Sequence, residues 1–260
     1  MAMNRAQFAK MLEPGLNTLF GLEYDSYPAE FARVFDANTS NRAFEEDVLL
    51  TGFGNAPTKN EGAAVAYDTA SQGYTARYQH ETVALAFSIT EEAEEDGQYG
   101  SIASRYTKAL ARSMSATKEI KAATILNNAT SAGIYAGGDG AALLSTAHPT
   151  QSGNQSNTLA TAADLSETSI ESLLIQIADM KDDKGLRIAA QGQMLIIPTA
   201  YTFTAQRILN SELRVGTADN DINALRSGSY LPQGFHIMRR LTDSDAFFIK
   251  TDVPDGLKMF

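Results

Sequence analysis

Ser145 and His148 stand three residues apart in LLSTAHPTQSGNQSN, and their types are those of a nucleophile and its general base in acyl transfer. No G-x-S-x-G nucleophile elbow surrounds Ser145, so a serine hydrolase is an alternative resting on that pair alone. The histidines His80, His148 and His236 lie far apart and form no HxxxH pair. The chain has no cysteine, which excludes disulfides, thiolate metal sites and cysteine nucleophiles together. The Gly-rich AGGDG of Ala136–Gly140 lacks the Lys-Ser/Thr of a phosphate-binding loop and reads as a turn. The paired acids Glu94-Glu95 and Asp182-Asp183 fall at helix ends, where charge is solvated. The reading from these residues is that the chain is not an enzyme, with no catalytic, cofactor-binding or metal-binding residue.

Charge narrows the partners. With a net charge of -10, the chain lacks the basic footprint of a protein that grips phosphates. Its one basic row, Arg105, Lys108 and Arg112, reads as a solvated helix face. The start, MAMNRAQFAKMLEPGL, has no apolar signal-peptide core, and no run of 18 apolar residues exists to span a bilayer. These features predict a soluble chain of a cytoplasm-like compartment, with no membrane partner.

The elements that would carry any site are unusual in proportion. Tyr74 to Thr90, YTARYQHETVALAFSIT, is 17 residues of β-formers without Gly or Pro, about 55 Å if extended. Strands of compact sheets are far shorter. With Glu45–Phe53 as its other limb and Gly54–Gly73 as its tip, it reads as a long ribbon. Its outer part carries polar groups on both faces, and its base alternates Val83, Leu85, Phe87 and Ile89 as if half buried. Such a ribbon needs a surface beyond its own domain, and a neighbouring copy supplies one.

Around it, Met1–Leu12 predicts a short helix stopping before Pro14-Gly15. Tyr27, Phe31, Val34 and Phe35 suggest an aromatic arm. Thr90 with Glu91, Glu92, Glu94 and Glu95 reads as a capped helix start, which Gly97 and Gly100 would kink. From Ser101 to Asn128, Ile102, Tyr106, Leu110, Met114, Thr117, Ile120 and Thr124 predict one apolar stripe, with Glu119 among the charges away from it. Leu143–Asn157 reads as a surface excursion. Asp164 and Glu167 suggest a capping box for a helix ending near Gly185. Gln193–Ile197 reads as a strand buried on both faces, followed by Pro198 and a helix to about Asn210. Phe235–Arg240 and Ala246–Lys250 suggest a closing hairpin. The class is α+β.

This order of parts resembles the major capsid protein of tailed bacteriophages with the Hong Kong 97-type fold. LLSTAHPTQSGNQSN and SIESLLIQIADMKDDKGLRIAAQGQMLIIPTAYTFTAQRIL (Ser169–Leu209) resemble stretches of such head proteins. The resemblance implies an N-terminal arm (1–44), an extended E-loop (45–90), a peripheral domain with a spine helix (91–135), a mainly axial domain (136–232), and a closing hairpin returning to the peripheral domain (233–260). It implies a structural protein that assembles as hexamers and pentamers into an icosahedral shell. That shell encloses double-stranded DNA without sequence-specific binding, located in the virion capsid after assembly in the host cytoplasm. A nanocompartment shell enclosing enzyme cargo is the alternative of the same fold.

Phe53, Lys59, Tyr74, Arg77 and Tyr78 are the expected intersubunit contacts, because aromatics and Arg dominate interface energy. Lys59 is the tip's only lysine; the asparagine and acid of the cross-link that some relatives form cannot be placed. Met1 directly before the arm suggests a separate scaffolding partner, beside a portal. No cofactor is implied.

Overall fold

The computed structural model describes residues 6–89, 99–133, 135, 137–214 and 221–260, except the side chains of 6–15 and 99–101. The chain divides into two compact units. One joins residues 1–31 to 81–122, the other joins 32–80 to 123–260. The expected capped start at Thr90–Glu95 and the kink at Gly97 lie outside the described residues, while Gly100 falls in the first turn of a helix.

In the first unit, α1 (Ala6–Asp25) runs through Pro14-Gly15 instead of stopping there. An interior proline deletes one helical hydrogen bond and strains the turn, but the apolar spacing continues beyond it. Phe20 and Tyr24, one turn apart, stack at 5.9 Å. The long helix α2 (Tyr99–Asn127) contributes its residues up to Ala122. Its buried ridge is Ala103, Thr107 and Ala111, set four residues apart, with Thr107 Oγ1 donating to the Ala103 carbonyl at 2.8 Å. Tyr106 and Ile120, expected on the buried stripe, are mostly exposed.

Glu119, expected on the solvated face, is buried and accepts the backbone N–H groups of Glu30 at 2.8 Å and Phe31 at 3.2 Å. The Lys118 ammonium lies 4.9 Å from the Phe31 ring centroid. Residues 81–88 are exposed, Val83, Leu85 and Phe87 included, where the period of two had suggested a half-buried base. The Phe87 ring reaches Tyr106 at 5.8 Å.

The second unit is built on a three-stranded sheet. Gly192–Ile197 (β4) is its centre, with Phe235–Ile237 (β5) parallel on one side and Phe248–Thr251 (β6) antiparallel on the other. The expected closing hairpin is therefore not one: β5 and β6 are separated by the buried strand, which satisfies its backbone on both edges. The core around it gathers Leu165, Ile170, Leu195, Ile197, Ala205, Ile208, Leu209, Leu225 and Leu231.

Helix α3 (Glu167–Ala178) is capped by Ser166, not Asp164. Ser166 Oγ accepts from the Ser169 N–H at 3.1 Å while Ser169 Oγ accepts from the Ser166 N–H at 2.9 Å. It ends seven residues before Gly185. There the chain enters a reverse turn bridged by Lys181 and Arg187, in which Gly185 adopts φ +90°. Pro198 precedes a 3-10 turn (Thr199–Tyr201) and then α4 (Thr202–Asn210), as expected. A short helix α5 (Ala224–Ser227) follows, capped by Asn223. A small parallel pair, Asp36–Ala37 (β1) with Lys258–Met259 (β7), also forms.

Candidate assembly surface

Phe44–Leu50 (β2) and Gln72–Gln79 (β3) form the ribbon, antiparallel from Phe44↔Gln79 to Leu50↔Gln72 with a register shift at Leu49. The paired part of the return limb is thus 8 residues, not the 17-residue strand read from the sequence. The ladder stops at Phe44↔Gln79, and six residues earlier the Asn38 N–H donates to the Met259 carbonyl at 2.7 Å.

Alternation along the strands separates two faces. Glu45, Asp47, Ala76 and Tyr78 are half buried and meet their own unit. Lys258 Nζ lies 2.7 Å from Asp47 Oδ2, and the Tyr78 and Phe260 rings are 5.2 Å apart. Burial first, then Asp47, pushes the Tyr78 phenol above its ordinary pKa. Gly138 abuts the β3 backbone so closely that a Cβ there would sit 3.1 Å from Thr75 and Ala76. The opposite face, Phe44, Glu46, Val48, Thr75, Arg77 and Gln79, is exposed. Arg77 donates through Nε to Glu46 Oε1 at 2.7 Å, and its guanidinium lies 4.4 Å from the centroid of Phe44. That cross-strand triplet holds an aromatic and an arginine flat against water.

The tip is a closed loop. The Thr51 N–H donates to the Ser71 carbonyl at 2.9 Å, and Asp68 Oδ2 accepts the Gly54 N–H at 2.8 Å. It presents Phe53 at 61% and Tyr67 at 96% exposure.

Of the expected contact residues, Phe53 and Lys59 lie exposed on the tip, and Arg77 lies on the free face. Tyr74 shares the face of Tyr78 by alternation but remains exposed nearer the tip. Tyr78 itself is engaged with Phe260. Phe44 and Val48, not among the expected residues, share the exposed face of Arg77, and the alternation Phe44, Glu46, Val48 was the available signal.

The acyl-transfer pair does not assemble. His148 Nδ1 bonds Asp139 Oδ2 at 2.7 Å, its Nε2 meets no hydrogen-bond partner among the described residues, and Ser145 Oγ accepts from the Ala147 N–H at 3.1 Å. The loop bearing them is cross-bonded, with Asn157 Oδ1 accepting the Ser145 N–H at 2.8 Å and His148 bridged to Gln155. An apolar cleft of about 820 Å³, lined by Leu144, Leu173, Ile177, Met180, Phe248 and Leu257 among others, includes neither Ser145 nor His148. Among the described residues, no cluster of three or more metal-ligating side chains occurs, and no helix is long and apolar enough to cross a membrane.

A family model described as "Phage capsid protein" matches residues 73–260. The chain belongs to the phage capsid protein family. Solved structures agree at the level of fold. A chain of the bacteriophage JBD30 capsid is similar with a TM-score of 0.63 at 13% identity, over 83% of this chain and 92% of that one. The JBD30 capsid decorated with minor capsid protein trimers gives a TM-score of 0.63 at 11% identity, over the same shares. The JBD30 procapsid gives 0.54 at 14% identity, over 91% and 99%. No curated protein matches. The capsid protein is thus a bacteriophage structural protein, as the order of its elements had implied, and its family and neighbours point away from catalysis.

Proposed function

We propose that this capsid protein is the main shell-forming subunit of a tailed phage, with the Hong Kong 97-type division into arm, E-loop, spine helix, peripheral and axial parts. Copies form hexamers and pentamers that close an icosahedral shell around double-stranded DNA, assembled in the host cytoplasm with a scaffolding protein and a portal. In this reading 1–44 is the arm, 45–90 the E-loop, 91–135 the peripheral part with α2 as spine, 136–232 the axial part, and 233–260 the segment returning to the peripheral part. Phe53, Lys59, Tyr74, Arg77 and Tyr78 belong to the contact region, joined by Phe44 and Val48.

The observation that carries the reading is the hairpin with one face against its own unit and the other, bearing Phe44, Val48 and Arg77, uncovered. Contiguous exposed apolar surface of this kind marks an interaction site. Several modest contacts per copy, engaged together, make closure cooperative. The net charge of -10 suits a container that must let its DNA go.

Light scattering and negative-stain images of the purified chain test this. Rings of five and six subunits or closed shells are expected. A chain that stays monomeric at high concentration, with and without a scaffolding protein supplied, would sink it.

A further inference from the structure

One short segment touches all three strands at the root of the hairpin. Lys258–Met259 pairs in parallel with Asp36–Ala37. Lys258 Nζ lies 2.7 Å from Asp47 Oδ2 on β2 and 2.7 Å from Asp255 Oδ1. Phe260 packs on Tyr78 of β3 and meets the edge of His80 with ring centroids 6.5 Å apart. Asp255 adopts φ +60°, a left-handed conformation that Asp tolerates better than most residues. The Lys258 side chain is only 13% exposed. An ion pair shielded in this way is screened less by salt than one in open water.

We infer that Lys258 and Phe260 are a latch that sets the pose of the hairpin. They commit the Asp47–Tyr78 face to the chain's own body, which leaves the Phe44–Arg77 face for another copy. The physical need is plain: a two-stranded hairpin alone in water is marginally stable. The ladder from Phe44 to Gln79 therefore depends on the face it rests on. Other contacts lie nearer the tip, Gln151 to Ser71 at 3.2 Å and Lys184 to Asp68 at 3.8 Å. The first is exposed, and the second is one Lys184 ammonium that also donates to the Thr69 carbonyl at 3.4 Å, whereas the segment at Lys258–Phe260 combines an ion pair, a ring contact and strand pairing. The latch is a positioning device, and its consequence for assembly rests on the function proposed above, but its existence does not.

Hydrogen–deuterium exchange on the unassembled chain tests it, independently of whether shells form. In Lys258→Met/Phe260→Ala, amides of 44–50 and 72–79 should exchange about tenfold faster or more, as expected from losing one shielded ion pair and one aromatic pair. Protection in 192–197 should persist, and Lys258→Arg with Phe260 intact should restore the hairpin. Unchanged hairpin exchange with a protected core overturns the latch. Should the double variant lose core protection as well, Asp47→Asn decides. It removes the ion pair from the hairpin side and leaves β1–β7 untouched, so hairpin exchange that does not accelerate again overturns the proposal.

Discussion

The guanidinium of Arg77 lies 4.4 Å from the ring centroid of Phe44, its diagonal neighbour across the β2–β3 ladder, and both side chains are exposed. An Arg stacked on an aromatic ring is a rigid, amphipathic anchor, already ordered before any partner arrives. Arg77→Ala should therefore slow or abolish assembly while shifting the subunit's own stability by no more than about 0.5 kcal/mol, as for other surface changes. Light scattering of assembly beside a denaturant melt of the subunit separates the two. Arg77→Lys should rescue little, since it loses the planar stack.

Glu119 carries a second expectation. Its carboxylate accepts two backbone N–H groups, of Glu30 and Phe31, in a buried setting. Glu119→Ala leaves those donors without their acceptor, a loss of about 2–3 kcal/mol for hydrogen bonds to a charged group. Urea unfolding followed by circular dichroism measures it, and Glu119→Gln should recover part of the loss.

Asn223 is buried at 2% exposure and closes a junction with both ends of its amide. Nδ2 donates to the carbonyls of Ile208 and Ser211, and Oδ1 accepts the N–H groups of Leu225 and Arg226. It caps α5 and satisfies the end of α4 at once. Asn223→Ala should cost about 2–4 kcal/mol, combining a lost cap with unsatisfied buried carbonyls. Asn223→Asp should remain damaging, because Oδ2 cannot donate to those carbonyls when ionised.

Asp139 gives a pH dependence. Burial pushes its carboxyl up, but the hydrogen bond from His148 and the Ala141 N–H outweigh that and hold it below the ordinary carboxylate value. A group with a lowered folded-state pKa stabilises fully above its unfolded value of about 3.9. The contribution disappears as pH falls through the lower folded value. Urea midpoints between pH 6 and pH 3 should fall more steeply for the natural chain than for Asp139→Asn.

Much of this fold is legible in the sequence. The run QMLII announced a doubly buried strand because its four consecutive apolar residues leave no polar face. Pro198 marked the following turn because its missing N–H is harmless there. The ribbon announced itself through a run of β-formers without a breaker. What the sequence concealed depended on partners distant along the chain. Glu119 looks solvated until Glu30 and Phe31, 89 and 88 residues away, present their N–H groups to it. Residues 235–240 and 246–250 look like a hairpin until the more apolar β4 takes the place between them. Likewise, the two faces of β2 and β3 differ because residues distant in sequence, Gly138, Lys258 and Phe260 among them, meet the ribbon.

That last arrangement has a consequence in time. A ribosome releases residues 44–79 long before residues 258–260, with nearly 180 residues still to be added. At roughly 5–20 residues per second, the ribbon would wait on the order of 10–40 s without its clasp. If the latch sets the hairpin's pose as proposed, a nascent subunit would keep the exposed face of its ribbon undefined until synthesis has passed Lys258, which would delay premature clumping of half-made chains on a crowded polysome.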